Sequence, residues 1–270
     1  MIIHKHILEK NFNKAAYTYD EYSQVQQKMA HHLIQTLRQK YDHVQQILEI
    51  GCGTGYFTQL LAETYPNARI IAIDLAENMI QRAREQIEEK NVEFVLADAE
   101  ELSGFAPESY DLIVSNAAVH WLQRPGRFLD GIMRLLKPGG SYLSTALGPD
   151  TFLELRSSFQ YVEQTLGIQP QEHLVPLTSM EDWAIRLEES GFQGTEIEDH
   201  WLRQVYTDCR EFLQSIKATG ANYRSNGQSI FEARKVLIRM MKLYNQAYRN
   251  KQGLVYATYQ WMQIMSKKPG

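Results

Sequence analysis

Cysteine is nearly absent from this chain. Cys52 and Cys209 are its two cysteines. They have neither a disulfide framework nor a metal-ligand spacing, so a reducing compartment is expected and no metal site is read from the sequence. Long apolar runs are missing too. No stretch approaches the length that spans a bilayer, and the opening MIIHKHILEK lacks the apolar region of a secretory signal. A cytoplasmic protein with no membrane partner is the expectation. There is no internal repeat and no low-complexity tract. Positive charge is not in excess either: the formal net charge is −4, which argues against a general nucleic-acid binder. What is left, 44% hydrophobic and 22% charged over 270 residues, is ordinary globular composition with enough chain for a sizeable core.

The stretch ILEIGCGTG, Ile47 to Gly55, organises the rest. An apolar run carrying Glu49 leads into Gly51, Gly53 and Gly55, and the helix-like YFTQLLAETY follows at once. That is a buried strand, a tight glycine turn and a helix. Glycine lets the backbone turn with positive φ and lets a ligand approach where a Cβ would block it. The helix start is expected to aim unpaired N–H groups at that ligand. The dinucleotide fingerprint wants glycine at the first, third and sixth positions. Here the third glycine comes one residue early and the sixth position is Tyr56. Glu49, two residues before the first glycine, suits a cationic, phosphate-free ligand better than a pyrophosphate. S-adenosylmethionine fits that description. Taken alone, the turn leaves three readings open: an ordinary βα turn, a drifted NAD site, or a methyl-donor site.

The following segments narrow the choice. RIIAIDLA reads as a second strand ending at Asp74, 19 residues after Gly55, near the spacing for a ribose-hydroxyl acceptor. As a lone acid, Asp74 would merely cap the helix ENMIQRAREQIEEK. VEFVLADAE reads as a third strand running to Asp98 and Ala99, and YDLIVSNAAVHW as a fourth running into Asn116, His120 and Trp121. RFLDGIMRLLKPGG reads as a helix stopped at Pro138 with a Gly139–Gly140 turn, and SYLSTAL as the fifth strand. Strands alternating with helices give a doubly wound, mostly parallel α/β sheet, Rossmann-like. Ligands bind at the carboxyl ends of such strands, where all of these residues fall.

Before the first strand, residues from about Phe12 to Tyr41 read as helical. They bring Tyr17, Tyr19 and Asp20, and an aromatic segment there is a candidate lid; for any one tyrosine, simple packing is the plainer reading. Beyond Leu147 come helical DTFLELRSSFQYVEQTL and SMEDWAIRLEESGF joined by GIQPQEHLVPLT. QGTEIEDHWLRQVYT then reads as a sixth strand, CREFLQSIKATGAN and QSIFEARKVLIRMMKLYNQAY as helices, and GLVYATYQWMQIM as a seventh strand, the last two pairing antiparallel at one edge. From Arg203 to Lys251 there are ten Lys and Arg, Arg224 among them, against Asp208, Glu211 and Glu232. That segment carries +7 and the remainder −11. A basic helical face on an acidic protein suggests an anionic macromolecular partner; a solvated face is the bland alternative.

The E-x-G-x-G-x-G stretch resembles motif I of class I S-adenosylmethionine-dependent methyltransferases. Over nearly its full length the chain resembles the malonyl-[acyl-carrier-protein] O-methyltransferases of biotin synthesis. The resemblance is carried by FNKAAYTYD, LEIGCGTG, SNAAVHW, TFLELRSSF and SIKATGAN. It departs at His120, where that family leads one to expect Gln. The resemblance implies a seven-stranded class I fold in a single domain over 1–270: a helical lid over 1–44, a cofactor core over 45–148, and substrate- and partner-facing elements over 149–270. It implies S-adenosylmethionine held by Tyr19, Glu49, Gly51, Gly53, Gly55, Asp74, Leu75, Met79, Asp98, Ala99 and Asn116. Asp98 and the Ala99 amide would meet the adenine. The acceptor would be the free carboxylate of a malonyl group on acyl carrier protein or on CoA. Arg156 and Lys217 are candidates to hold that carboxylate, with Tyr19, His120 and Trp121 shaping the pocket and the basic helices docking the carrier. Rival readings are methylation of a free small carboxylic acid such as an aconitate, a quinone C-methyltransferase, an RNA methyltransferase, and a non-catalytic cofactor- or carrier-binding module.

Overall fold

The computed structural model describes residues 4–221 and 230–270. Asn222, Arg224, Gln228 and Ser229, which the sequence reading included in its C-terminal stretches, lie outside them, as do Met1 to Ile3 and the side chain of Glu232. Among the described residues the chain runs α1 (Lys5–Ala15), α2 (Tyr19–Tyr22), α3 (Gln24–Lys40), β1 (Gln46–Ile50), α4 (Tyr56–Thr64), β2 (Arg69–Asp74), α5 (Glu77–Gln86), β3 (Val92–Leu96), β4 (Tyr110–Asn116), α6 (Pro125–Leu135), β5 (Leu136–Leu147), α7 (Leu153–Leu166), α8 (Met180–Glu189), β6 (Gln193–Tyr206), α9 (Cys209–Ala218), α10 (Ile230–Ala247) and β7 (Val255–Lys267). The seven strands make one sheet in the order β3-β2-β1-β4-β5-β7-β6. All neighbours from β3 to β5 pair parallel, and β7 runs antiparallel between β5 and β6.

The strands are apolar on both faces because helices cover both. Leu48 and Ile50 of β1 and Ile113 of β4 face α6 and α8, packing with Phe128, Leu129, Ile132 and Trp183. Ile47, Leu112 and Val114 face the other way, onto Leu33, Leu37, Phe57 and Leu61 of α3 and α4. Period-two alternation thus serves two cores, and pairing Ile47 with both Ile70 and Leu112 fixes the register. A third core, under α7, α9 and α10, is built on Phe212, Tyr244, Trp261 and Met240, and takes in Val25 and Met29 of α3.

Two boundaries differ from the sequence reading. The N-terminal segment is three helices rather than one and begins earlier, at Lys5, with breaks after Ala15 and at Ser23. No proline or glycine marks those breaks; the Thr18 hydroxyl bonds instead to the Ala15 and Ala218 carbonyls at 3.2 and 2.9 Å, a tertiary contact with α9. Second, the helix expected to run to Pro138 ends at Leu135, and Leu136 to Gly140 belong to β5. Leu136 pairs with Tyr110, and the register then shifts so that Ser141 pairs with Leu112. The Pro-Gly-Gly sequence is an irregularity in the strand, a place where proline and glycine are tolerated.

Candidate active site

The carboxyl ends of β1, β2, β3 and β4 open into a cleft enclosing about 850 Å³ of space, part of it open to solvent. Gly51, Gly53, Asp74 and Leu75 form its floor, with Met79 of α5, Asp98, Ala99 and Asn116 around it, and Trp121 at the β4 end. Tyr19 of α2 and Lys5, Leu8 and Phe12 of α1 complete the wall. Most of the expected cofactor residues are therefore brought together.

The glycine turn works differently from the sequence expectation. Four of its amides are spent inside the protein: Gly51 and Cys52 donate to the Ile73 carbonyl at 2.8 and 2.9 Å, and Gly55 to the Cys52 carbonyl at 3.0 Å. Gly53 donates to Asp74 Oδ2 at 2.9 Å. Those four amides are therefore not free for a ligand phosphate. What it offers is close approach. Gly51 has φ +72°, and a Cβ there would stand 2.4 Å from the Ala118 Cβ; at Gly53, φ +55°, a Cβ would meet nothing within 4 Å and would project into open space. Gly55 is the N-cap of α4; it does not line the cavity.

Asp74 ties the turn to the end of β2, for its Oδ1 also accepts from the Ala76 amide at 2.8 Å. Each carboxylate oxygen keeps a lone pair for a ligand hydroxyl. Burial raises the Asp74 carboxyl above its ordinary value, against the pull of the Ala76, Gly53 and Leu75 amides. Glu49 lies beneath the turn, fully buried. Burial, with Asp74 adding, pushes its carboxyl up to about 8, the Thr58 hydroxyl working the other way. Its Oε2 has no hydrogen-bond partner. A buried carboxylate oxygen without a partner is the environment a cationic ligand relieves.

Asp98 meets something the sequence reading missed. Lys5 Nζ sits 2.6 Å from Asp98 Oδ2 and also pairs with Glu100. Asp98 Oδ1 accepts from the Glu100 amide at 2.9 Å. Helix α1 is fastened across the cavity a second time: the Asn78 amide and side chain bond to Asn13 at 2.8 and 3.0 Å. Phe12 stands edge-on to Trp121 with ring centroids 5.8 Å apart. Nothing local distinguishes Lys5, Leu8 and Phe12; they became visible only when α1 folded onto the sheet ends. Asp20 is the other missed contact. Its carboxylate takes a 2.5 Å hydrogen bond from Thr54 in the glycine turn and a 3.0 Å bond from Gln86.

Tyr19 is half-buried in the cavity wall, whereas Tyr17 is 63% exposed. Burial first, then Asp74 and Asp20, raise the Tyr19 hydroxyl well above the usual phenol range. It remains a neutral donor. Asn116 is anchored at both ends of its side-chain amide: its nitrogen donates to the Gln26 carbonyl at 3.1 Å and its oxygen accepts from Thr145 at 2.8 Å. After it, Ala117 adopts φ +52°, a left-handed turn that costs about 1 kcal/mol outside glycine and folds the β4 end around the cavity.

Besides Glu49 and Gly55, the three substrate-side candidates His120, Arg156 and Lys217 fall outside the wall. His120 is buried behind Trp121, with Nδ1 3.5 Å from the Leu147 amide. Burial pushes its imidazole down to about 3, so it is neutral. Arg156, on α7, donates to the Pro149 carbonyl at 2.7 Å. Lys217, on α9, is exposed. Among the described residues lining the cavity the cation is Lys5, and it is paired.

The basic residues of α10 have a clear arrangement. Arg234, Lys235, Arg239 and Lys242 are exposed, while Val236, Met240 and Tyr244 are buried on the opposite side. None of these four cations is in an ion pair among the described residues.

Residues 48–144 match a methyltransferase-domain family. A malonyl-[acyl-carrier protein] O-methyltransferase from Paenibacillus sp. (strain JDR-2) is 37% identical over 273 residues, covering 96% of this chain and 98% of that protein. One from Brevibacillus brevis is 36% identical, covering 93% and 92%. Among solved structures, Haemonchus contortus phosphoethanolamine N-methyltransferase 2 in complex with S-adenosyl-L-methionine is 19% identical with a TM-score of 0.59, covering 96% of this chain and 57% of that one; that likeness is one of fold. With near-full-length identity above a third and the class I strand order in its sheet, the chain belongs to the family of malonyl-[acyl-carrier protein] O-methyltransferases.

Proposed function

We propose that this protein transfers a methyl group from S-adenosylmethionine to the free carboxylate of a malonyl group on acyl carrier protein, at the start of biotin synthesis, in the cytoplasm. The observation that carries the reading is a cavity lined by the carboxylates of Asp74 and Asp98, over a glycine turn whose Gly51, Cys52, Gly53 and Gly55 amides bond within the protein. Such a lining suits ribose hydroxyls and a cation and repels a pyrophosphate. Asp74 would hold the ribose hydroxyls, Asp98 and the Ala99 amide the adenine, and Glu49, whose carboxyl burial keeps protonated in the cofactor-free fold, would answer the ligand's positive charge from beneath the turn by ionising when the cation arrives. When bound, the cofactor supplies an electrophilic methyl on a sulfonium centre.

The chain's own residues position and dry the site. The acceptor carboxylate is already anionic at pH 7, so no general base is required. His120 is buried and neutral, and serves as neither base nor cationic clamp. Trp121, Phe12 and Leu8 exclude water, which strengthens attack by a desolvated carboxylate. Tyr19 keeps its proton and gives the cavity a hydroxyl donor. Residues 1–44 act as the lid, fastened by Lys5, Asn13 and Asp20. The exposed cations of α10 form the docking face for the acidic carrier, and nucleic acid is not the partner. A free small acid as substrate would leave that face without a role. The mass of the carrier's prosthetic group tests the reading. Incubation with cofactor should add one methyl group, removable by mild base; an unchanged mass at full cofactor occupancy would contradict it.

A further inference from the structure

Away from the cavity, three metal-ligating side chains meet where α3 crosses the outer strands. His32 is on α3; Glu198 and His200, two residues apart on β6, project from one face of the strand. Glu198 Oε2 lies 3.7 Å from His32 Nε2 and 3.5 Å from His200 Nε2. One ligand atom from each residue lies within 4.8 Å of the other two. The His200 Nε2 is buried and has no hydrogen-bond partner, an uncompensated polar atom facing two other donors of electron pairs.

The supporting shell is rigid. His200 stacks on Trp261 with centroids 4.2 Å apart and an 18° tilt, and His32 stands edge-on to the same indole at 5.2 Å. One turn along α3 Thr36 bonds to Gln263 at 3.2 Å, and two turns along Lys40 pairs with Glu196 at 2.9 Å. Ligands carried on a helix and a strand and fixed by packing are what a precise metal site requires.

We propose that His32, Glu198 and His200 form a binding site for a divalent transition-metal ion of the zinc class, clamping α3 to the edge strand β6. An ion held at about 2.0–2.1 Å keeps tetrahedral ligands roughly 3.3 Å apart. Two of the three separations already approach that, and the third closes by a small movement of one imidazole. Two imidazoles with one carboxylate select zinc, cobalt, nickel or copper over magnesium and calcium, which take oxygen ligands. Glu198 is half-exposed, so the ion has a route in and water can take the fourth position. None of the three residues lines the cavity, so the site serves stability and not turnover.

Untagged full-length protein tests this with cobalt as an optical probe and zinc as a stabiliser. One equivalent of Co²⁺ should give visible absorption of tetrahedral type, displaced by Zn²⁺. Free Zn²⁺ at a hundredfold excess over its Kd should raise the thermal midpoint by about 5 °C. His32→Gln and His200→Gln, on different elements, should each abolish both signals while methyl transfer persists. No cobalt spectrum and no midpoint shift in the unaltered protein would overturn the site and leave a plain His–Glu contact. A shift that survives in both variants would overturn it equally, by placing the metal elsewhere.

Discussion

The glycine turn and the outer face of α10 handle charge in opposite ways. At the turn, Gly51, Cys52, Gly53 and Gly55 all donate to protein acceptors, Asp74 is tied to two amides, and Glu49 is sealed beneath. On α10, Arg234, Lys235, Arg239 and Lys242 stand in solvent and pair with nothing among the described residues. The first region is preorganised, so that a cofactor adds contacts to a turn already braced, with Glu49 Oε2 the atom beneath it left without a partner. The second is unsatisfied, and gains from an acidic partner by long-range attraction. Changes at the turn should therefore strike stability and cofactor affinity. Changes on α10 should strike only encounter with a large acidic substrate.

The largest effect is expected at Gly51. Gly51→Ala adds a methyl 2.4 Å from the Ala118 Cβ at a positive φ, and should cost about 3 kcal/mol of stability in chemical denaturation. A loss well under 1 kcal/mol would mean that the turn is loose. Next comes Asp74→Ala. It removes an acceptor from the Gly53 and Ala76 amides as well as from the ligand, and should weaken S-adenosylmethionine binding by about 1–3 kcal/mol, roughly 5- to 150-fold. Unchanged calorimetric affinity would break the assignment of Asp74 to the ribose.

Glu49 gives the comparison a pH signature. Its folded-state value of about 8 stands above the ordinary 4.5. The protonated form is favoured by folding, so its stabilising contribution is full below pH 4.5 and is lost as pH rises through 8. Asp74, also raised, acts in the same direction. Glu49→Gln should make the cofactor-free protein more stable at pH 8 by about 2 kcal/mol, with the gap closing as pH falls toward 4. Parallel stability–pH curves would show that Glu49 is ionised in the fold. The smallest effect belongs to α10. Lys235→Glu with Arg239→Glu should lower kcat/KM for malonyl-carrier protein by roughly tenfold at low salt and leave a small malonyl thioester unchanged. Equal losses on both substrates would move the docking surface elsewhere.

How much of this was legible in the sequence follows the same division. Strands β1 to β5, the turn and Asp74 each carry a local signature, and the parallel sheet places their carboxyl ends together without further information. Lys5, Leu8 and Phe12 carry none; they join the site because α1 docks on α5 and on the Gly220 turn, where a Cβ would come 3.0 Å from Phe12. His120 and Arg156 were drawn into the site by their neighbours in sequence. A short helical turn swings His120 behind Trp121 and a backbone carbonyl claims Arg156. The Pro-Gly-Gly after α6 read as a helix stop because that is its commonest use, and its place inside β5 depends on a register shift against β4. His32, Glu198 and His200 meet only through the packing of α3 on the C-terminal strands β6 and β7.

The central claim is that a preformed cofactor site has been joined to a surface that selects a carrier-borne acid. Methyl transfer from labelled S-adenosylmethionine to malonyl-carrier protein, malonyl-CoA and free malonate, measured side by side as base-labile ester, tests it most directly. Highest kcat/KM on the carrier-bound group, intermediate on the CoA thioester and lowest on the free acid is the result expected. Equal or better transfer to the free acid would contradict the account.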